Sequence, residues 1–165
     1  MKLSSKERPA GASNAAQARV LRQFRLVFNT VKTHFRQVER DVGLGGAQVW
    51  ALSVIRDTPG IGVSDLARAL DIHQSTASNL VKALQARGLV ETRRDGADRR
   101  AVALHIGAAG EAVLSKAPAP FAGVLPDALA GLDAATLARM EADLARLIAL
   151  LAADPAAAEV PLADL

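Results

Sequence analysis

Hydrophobic residues recur at helical spacing along most of the chain. Between Arg19 and Arg40, Leu21, Phe24, Phe28, Val31, Phe35 and Val38 step by three and four residues. That narrow, heptad-like seam predicts a long helix that packs on other helices at a shallow angle. A second seam, Leu137, Met140, Leu144, Leu147 and Leu151, spans about Ala134 to Ala152 and stops at Asp154-Pro155. Between the two lie shorter patterns. Val49, Leu52 and Ile55 predict a helix from about Gly46 to Arg56, after a Gly-rich break at Asp41–Gly46. Val63–Leu70 predicts a short helix with Leu66, Ala67 and Leu70 on its buried side, Ser64 as N-cap and Asp65 at its positive end. After the turn Asp71-Ile72-His73, the stripe Ala77, Leu80, Val81 and Leu84 predicts a helix from Gln74 that Gly88 ends.

The period then changes to two. Leu89–Arg93 reads as a strand, Asp95-Gly96 as a turn, and Ala101–Ile106 as the returning strand, with Val102, Leu104 and Ile106 on one face. Ile61 or Val63, in the loop before the short helix, is placed to add a short third strand. A helix follows from Ala108 to about Lys116, interrupted by Pro118 and Pro120, and Phe121–Leu132 reads as helical in part.

The polar residues facing these stripes give the central stretch its chemistry. The helix from Gln74 carries Gln74, Ser75, Thr76, Ser78, Asn79 and Lys82 opposite its apolar stripe. Solvated helices favour Glu and Lys there; Gln, Ser, Thr and Asn are mediocre helix formers but hydrogen-bond well to base edges and phosphates. The hairpin tip holds Arg93, Arg94, Arg99 and Arg100 against Asp95 and Asp98. Four guanidinium groups on one short loop repel each other unless an anion sits among them, and a minor groove attracts inserted Arg. Asp98 can pair with one Arg and aim another. Short helix, short turn, second helix and appended hairpin make a winged helix-turn-helix.

The run SDLARALDIHQSTASNLVKALQARGLVETRRDGADRRAVALHIGAAG resembles the DNA-binding core of the MarR family of bacterial transcription regulators. The matching positions are Ser75-Thr76, Leu80-Val81, Leu84, Gly88-Leu89-Val90, Arg93, Asp98-Arg99-Arg100, Leu104 and Gly110. The likeness extends from about Arg19 to Ala152. There are two departures: His73 stands where the family has a small capping residue, and Gly107 replaces a helix-capping Thr. The resemblance implies a mainly α (α+β) chain, a winged helix-turn-helix with a two-stranded β wing flanked by long N- and C-terminal dimerisation helices. The corresponding segments are a disordered basic tail (1–16), a dimerisation helix (17–45), the DNA-binding region (46–107), further dimerisation helices (108–153) and a tail (154–165). Ser64, Gln74, Ser75, Thr76, Ser78, Asn79, Lys82, Arg93, Arg94, Asp98, Arg99 and Arg100 form the expected DNA-binding set. The resemblance also implies repression relieved by a small aromatic or anionic effector, in a pocket that His34 and Trp50 would wall. By residue type alone, each of those two reads as packing before it reads as a pocket wall.

Composition narrows the alternatives. The chain has 165 residues, half of them hydrophobic but only 3% aromatic, so one core of Ala, Leu and Val suits it. With no Cys, disulfides, thiolate metal sites and the cysteine peroxide sensing of some MarR relatives are excluded. Three scattered His, no carboxylate pair beside a nucleophile and no phosphate-cradling Gly loop argue against an enzyme, a metal or a cofactor. No membrane span or apolar signal region stands out, which leads to the expectation of a cytoplasmic protein. Net charge is +3, unevenly spread. Residues 1–40 hold 9 Lys or Arg against 2 acids, residues 41–100 hold 8 against 7, and residues 101–165 hold 3 against 8. The two terminal seams fit a homodimer with interleaved ends on double-stranded DNA, or a monomer folding its ends together. The function from another class is a winged-helix protein-interaction module without an operator of its own.

Overall fold

The side chains of Leu52, Ile55, Leu66, Leu84 and Leu104 are sealed from solvent, and three consecutive helices and a strand carry them. The computed structural model describes residues 10–93 and 102–164, with side chains for 14–93 and 102–163. Helices α2 (Gly46–Asp57), α3 (Val63–Leu70) and α4 (Gln74–Ala86) pack on one another. Strands β1 (Val90–Arg93) and β2 (Ala103–Ile106) pair antiparallel beside them, Val90 opposite Ile106 and Arg93 opposite Ala103. Around this core run α1 (Ala10–Val42), α5 (Ala108–Leu114), α6 (Val124–Ala130), α7 (Ala134–Leu151) and two 3-10 turns, Pro155–Glu159 and Leu162–Asp164.

The hairpin is joined to the helices through Leu104. Its N–H donates to the Ile61 carbonyl at 3.0 Å and its carbonyl accepts from the Gly60 N–H at 2.8 Å. Ile61 thus adds the third strand that the sequence suggested, as a single bridge. The returning strand is shorter than expected: it begins at Ala103, and Val102 is exposed.

Gly110 sits where α5 crosses the end of β2. A Cβ there would lie 2.5 Å from the Leu89 carbonyl oxygen and 2.7 Å from Ile106 Cγ1. The carbonyl is fixed backbone, so α5 would have to move. Gly110→Ala is expected to cost about 1–3 kcal/mol through overpacking, despite the better helix propensity of Ala. Thermal denaturation checks this; a stabilised variant would show that α5 moves away freely.

Two helix starts differ from expectation. Helix α1 begins at Ala10, inside the segment 1–16 expected to be disordered, because residues 10–18 include five Ala, the best helix former. Helix α3 is capped by Gly62, and Ser64 is an exposed residue of its first turn that caps nothing. Asp65 does occupy the first turn, where it meets Arg68. At α7 the cap is a side chain: Asp133 Oδ1 accepts from the Thr136 N–H at 2.9 Å. The Thr136 hydroxyl and N–H hold its carboxyl below the usual carboxylate range.

The α1 seam divides in two. Val31 and Val38 are buried and Phe35 half-buried within this subunit, whereas Leu21 and Phe28 are 52% and 58% exposed. Helix α7 buries no residue at all, and Leu137, Met140, Leu144, Ile148 and Leu151 are all exposed. Leu147 and Leu151 of α7 line a groove of about 650 Å³ together with Val20, Leu21, Phe24 and Phe28 of α1.

Candidate nucleic-acid interface

The turn before α4 is fixed from both sides. Asp71 ends α3 in the left-handed conformation at φ 52°, and the Ile72 N–H returns to the Ala67 carbonyl at 3.0 Å. Ile72 is buried beneath the turn. Helix α4 then lays Ala77, Val81 and Leu84 into the core, with Leu80 half-buried. This leaves Gln74, Ser75, Asn79 and Lys82 exposed, and Thr76 and Ser78 half-buried. Among the described residues, no hydrogen bond or ion pair engages the exposed four. The structure therefore offers a row of donors and acceptors on a helix held rigidly by its other face.

Both ends of α4 are tied to other parts of the chain, through contacts the sequence did not announce. At the far end, Arg87 Nη1 donates to the Gly43 carbonyl at 2.8 Å, joining α4 to the end of α1. At the near end, His73 is the N-cap residue by backbone geometry, but its side chain makes no cap bond. Its Nδ1 lies 2.6 Å from Glu159 Oε2 instead. No periodicity signals either contact; both join residues far apart in sequence.

Of the expected wing residues, Arg93 is placed. It ends β1, is exposed, and stands 3.5 Å from Glu91. An exposed pair at that distance contributes little, so the guanidinium is available to another anion. Arg94, Asp98, Arg99 and Arg100 lie outside the described residues. Ser64 is exposed in α3, so every described member of the expected set lies at least partly at the surface. Gly107 caps α5 by backbone alone, its carbonyl accepting from the Glu111 N–H at 3.0 Å while its own N–H donates to the Leu89 carbonyl at 2.9 Å.

A separate apolar cleft of about 190 Å³ opens between α1, α2, the start of α6 and the segment after α7. Trp50 lines it with Phe35, Leu70 and Ile72. His34 does not: its Nε2 is 3.1 Å from the Pro120 carbonyl, and its ring meets Phe35 edge-on at 5.3 Å. The two residues expected to wall one pocket are thus separated, and Phe35, the neighbour of His34, takes its place. Residues 155–164, expected to be a tail, form part of the cleft wall instead. Val160, Pro161, Leu162 and Ala163 line it, and Pro161 is buried. Among the described residues no group of three or more His, Asp or Glu could hold a metal ion. No described helix is long and apolar enough to cross a membrane.

The sequence of residues 42–101 matches the MarR family. No curated protein matches the chain. Several solved structures are similar to it in fold. The S. aureus MepR–DNA complex shares 20% identity over 78% of this chain and 94% of MepR, at a TM-score of 0.55. BpsR of Bordetella bronchiseptica, whose DNA binding is regulated by 6-hydroxynicotinic acid, shares 27% over 78% of this chain and 98% of its own, at 0.52. YusO of Bacillus subtilis shares 16% over 85% and 97%, at 0.52.

Proposed function

We propose, from the match of residues 42–101 to the MarR family, that the chain is a sequence-specific double-stranded DNA-binding transcription regulator. It acts as a homodimer on an inverted-repeat operator and represses until a small ligand binds. One observation carries the reading: α4 presents Gln74, Ser75, Asn79 and Lys82 unengaged on one face while its other face is locked into the core. A helix so held enters a major groove, with its first residues on base edges. The arginines around the hairpin meet the adjacent minor groove. No catalytic role is part of this reading.

The dimer is supported by the uncovered stripes of α1 and α7, which border one groove at the two ends of the chain. An exposed apolar surface of this kind is covered most simply by its own copy across a two-fold axis. Half-sites about one helical turn apart, roughly 10 bp, follow from that symmetry. The ligand reading is supported by the Trp50 cleft and by the ligand-regulated BpsR. A small aromatic acid suits an apolar wall with an indole, and it shifts the dimer only by its differential affinity for two shapes.

The test combines light scattering with binding of random and genomic duplexes at several salt concentrations. A mass twice the 17.2 kDa chain and affinity that falls steeply with salt are expected. A monomer without salt-dependent binding would turn the reading toward a protein-interaction module. Asn79→Ala is expected to change the preference among operator variants by about 1–3 kcal/mol at the affected base pair. If all duplexes weaken equally, Asn79 touches only backbone.

A further inference from the structure

Residues 155–164 do two things at once. Their apolar side fills a wall of the Trp50 cleft: Pro161 is buried, and Ala163 packs so near α2 that a Cβ on Gly46 would fall 2.9 Å from the Ala163 Cβ. Their acidic side reaches the start of α4, where Glu159 Oε2 stands 2.6 Å from Nδ1 of His73. The segment from Ala152 onward contains Asp154, Glu159 and Asp164 and no Lys or Arg.

The position of that carboxylate is the informative part. His73 directly precedes Gln74 and Ser75, the leading residues of the polar face. The first backbone N–H groups of a helix and its dipole favour an anion at this end. In a protein–DNA complex the anion there is a phosphate. Here a carboxylate of the same chain stands beside that end, 2.6 Å from the imidazole of the residue that precedes the helix. Both partners are about half exposed, at 55% and 43%, so the contact lies at the surface that a duplex would approach.

We infer that residues 155–164 are an autoinhibitory strap, in which Glu159 occupies the His73 imidazole beside the start of α4 as an internal substitute for a DNA phosphate. Strap docking and duplex binding then oppose each other, and the opposition is reciprocal: duplex loosens the strap as much as the strap weakens duplex. A ligand that enters the Trp50 cleft meets the strap's apolar side, so strap and ligand share one site. This rests on the reading of α4 as the helix that meets duplex DNA.

The experiment compares the full-length parent chain with Glu159→Gln and with Glu141→Gln, which removes an equal charge from an exposed position on α7. Fluorescence anisotropy with a labelled duplex is the readout. Glu159→Gln is expected to bind about two- to fivefold more tightly at low ionic strength, with the gain shrinking as salt rises. Glu141→Gln is expected to leave affinity close to that of the parent. Trp50, the only Trp in the chain, gives a second signal. Its emission is expected to shift to the red when unlabelled duplex is added to the parent, as the strap leaves the cleft. Equal affinity of Glu159→Gln and parent, an equal gain from Glu141→Gln, or Trp50 emission that ignores bound duplex would each overturn the strap and leave the DNA reading standing. If no variant binds any duplex, the DNA reading itself fails and the strap goes with it.

Discussion

Leu104→Ala is expected to destabilise the fold by about 2–5 kcal/mol, lowering the melting temperature by on the order of 5–15 °C. Leu104 is fully buried, in contact with the core that α2, α3 and α4 share. Its backbone also carries both hydrogen bonds that attach the hairpin to Gly60 and Ile61. Removing its side chain leaves a cavity bounded by helices that are themselves fixed by other core residues, so the site collapses poorly. The damage should not stop at stability. With the base of the hairpin loosened, the arginines it carries are aimed less well, and duplex affinity should fall at temperatures where the variant is still folded. Thermal scans at matched protein concentration decide the first part, since melting of an oligomer depends on concentration. A drop of under about 2 °C would place Leu104 in a site that repacks easily.

The second large effect concerns the hairpin's charge. Replacing Arg99 and Arg100 together with Ala is expected to weaken binding to every duplex, on the order of tenfold at low salt. The slope of log affinity against log salt should become shallower by about two, one for each lost phosphate or groove contact. Arg93 fixes the sign of the argument. It is exposed at the end of β1 and barely engaged by Glu91 at 3.5 Å, so at least one guanidinium starts from a rigid strand without an internal partner of consequence. Circular dichroism checks that the double variant is folded. An affinity and salt slope equal to the parent's would remove the hairpin from the interface.

The parts of the fold that were legible in the sequence are those in which one residue type serves one purpose. Ala77, Val81 and Leu84 against Gln74, Ser75 and Asn79 give a periodicity that only an amphipathic helix satisfies, and α4 follows it. Gly110 could be matched to a pattern, but its reason is the approach of the Leu89 carbonyl, which no one-dimensional signal carries. The α1 seam was visible as apolar, yet periodicity does not say what covers each half: Val38 is covered by this chain and Phe28 is not. Gly62 took the cap expected at Ser64 because extended backbone alone suffices there. Residues 155–164 looked like a tail because six hydrophobic residues, four of them Ala, without a period resemble any terminus. Their role lies in contacts with Gly46, about 115 residues earlier, which the chain's local pattern does not encode.

The two ties on α4 have a consequence for operator choice. Arg87 pins one end to Gly43, where α1 stops, and His73 binds the other to the segment that leaves α7. The Arg87 bond does not depend on the strap, so when duplex displaces Glu159 the pose of α4 still follows the frame set by the end of α1. Substitutions far from any base, along the uncovered stripes, would then change which spacer length between half-sites is tolerated while leaving the half-site letters untouched.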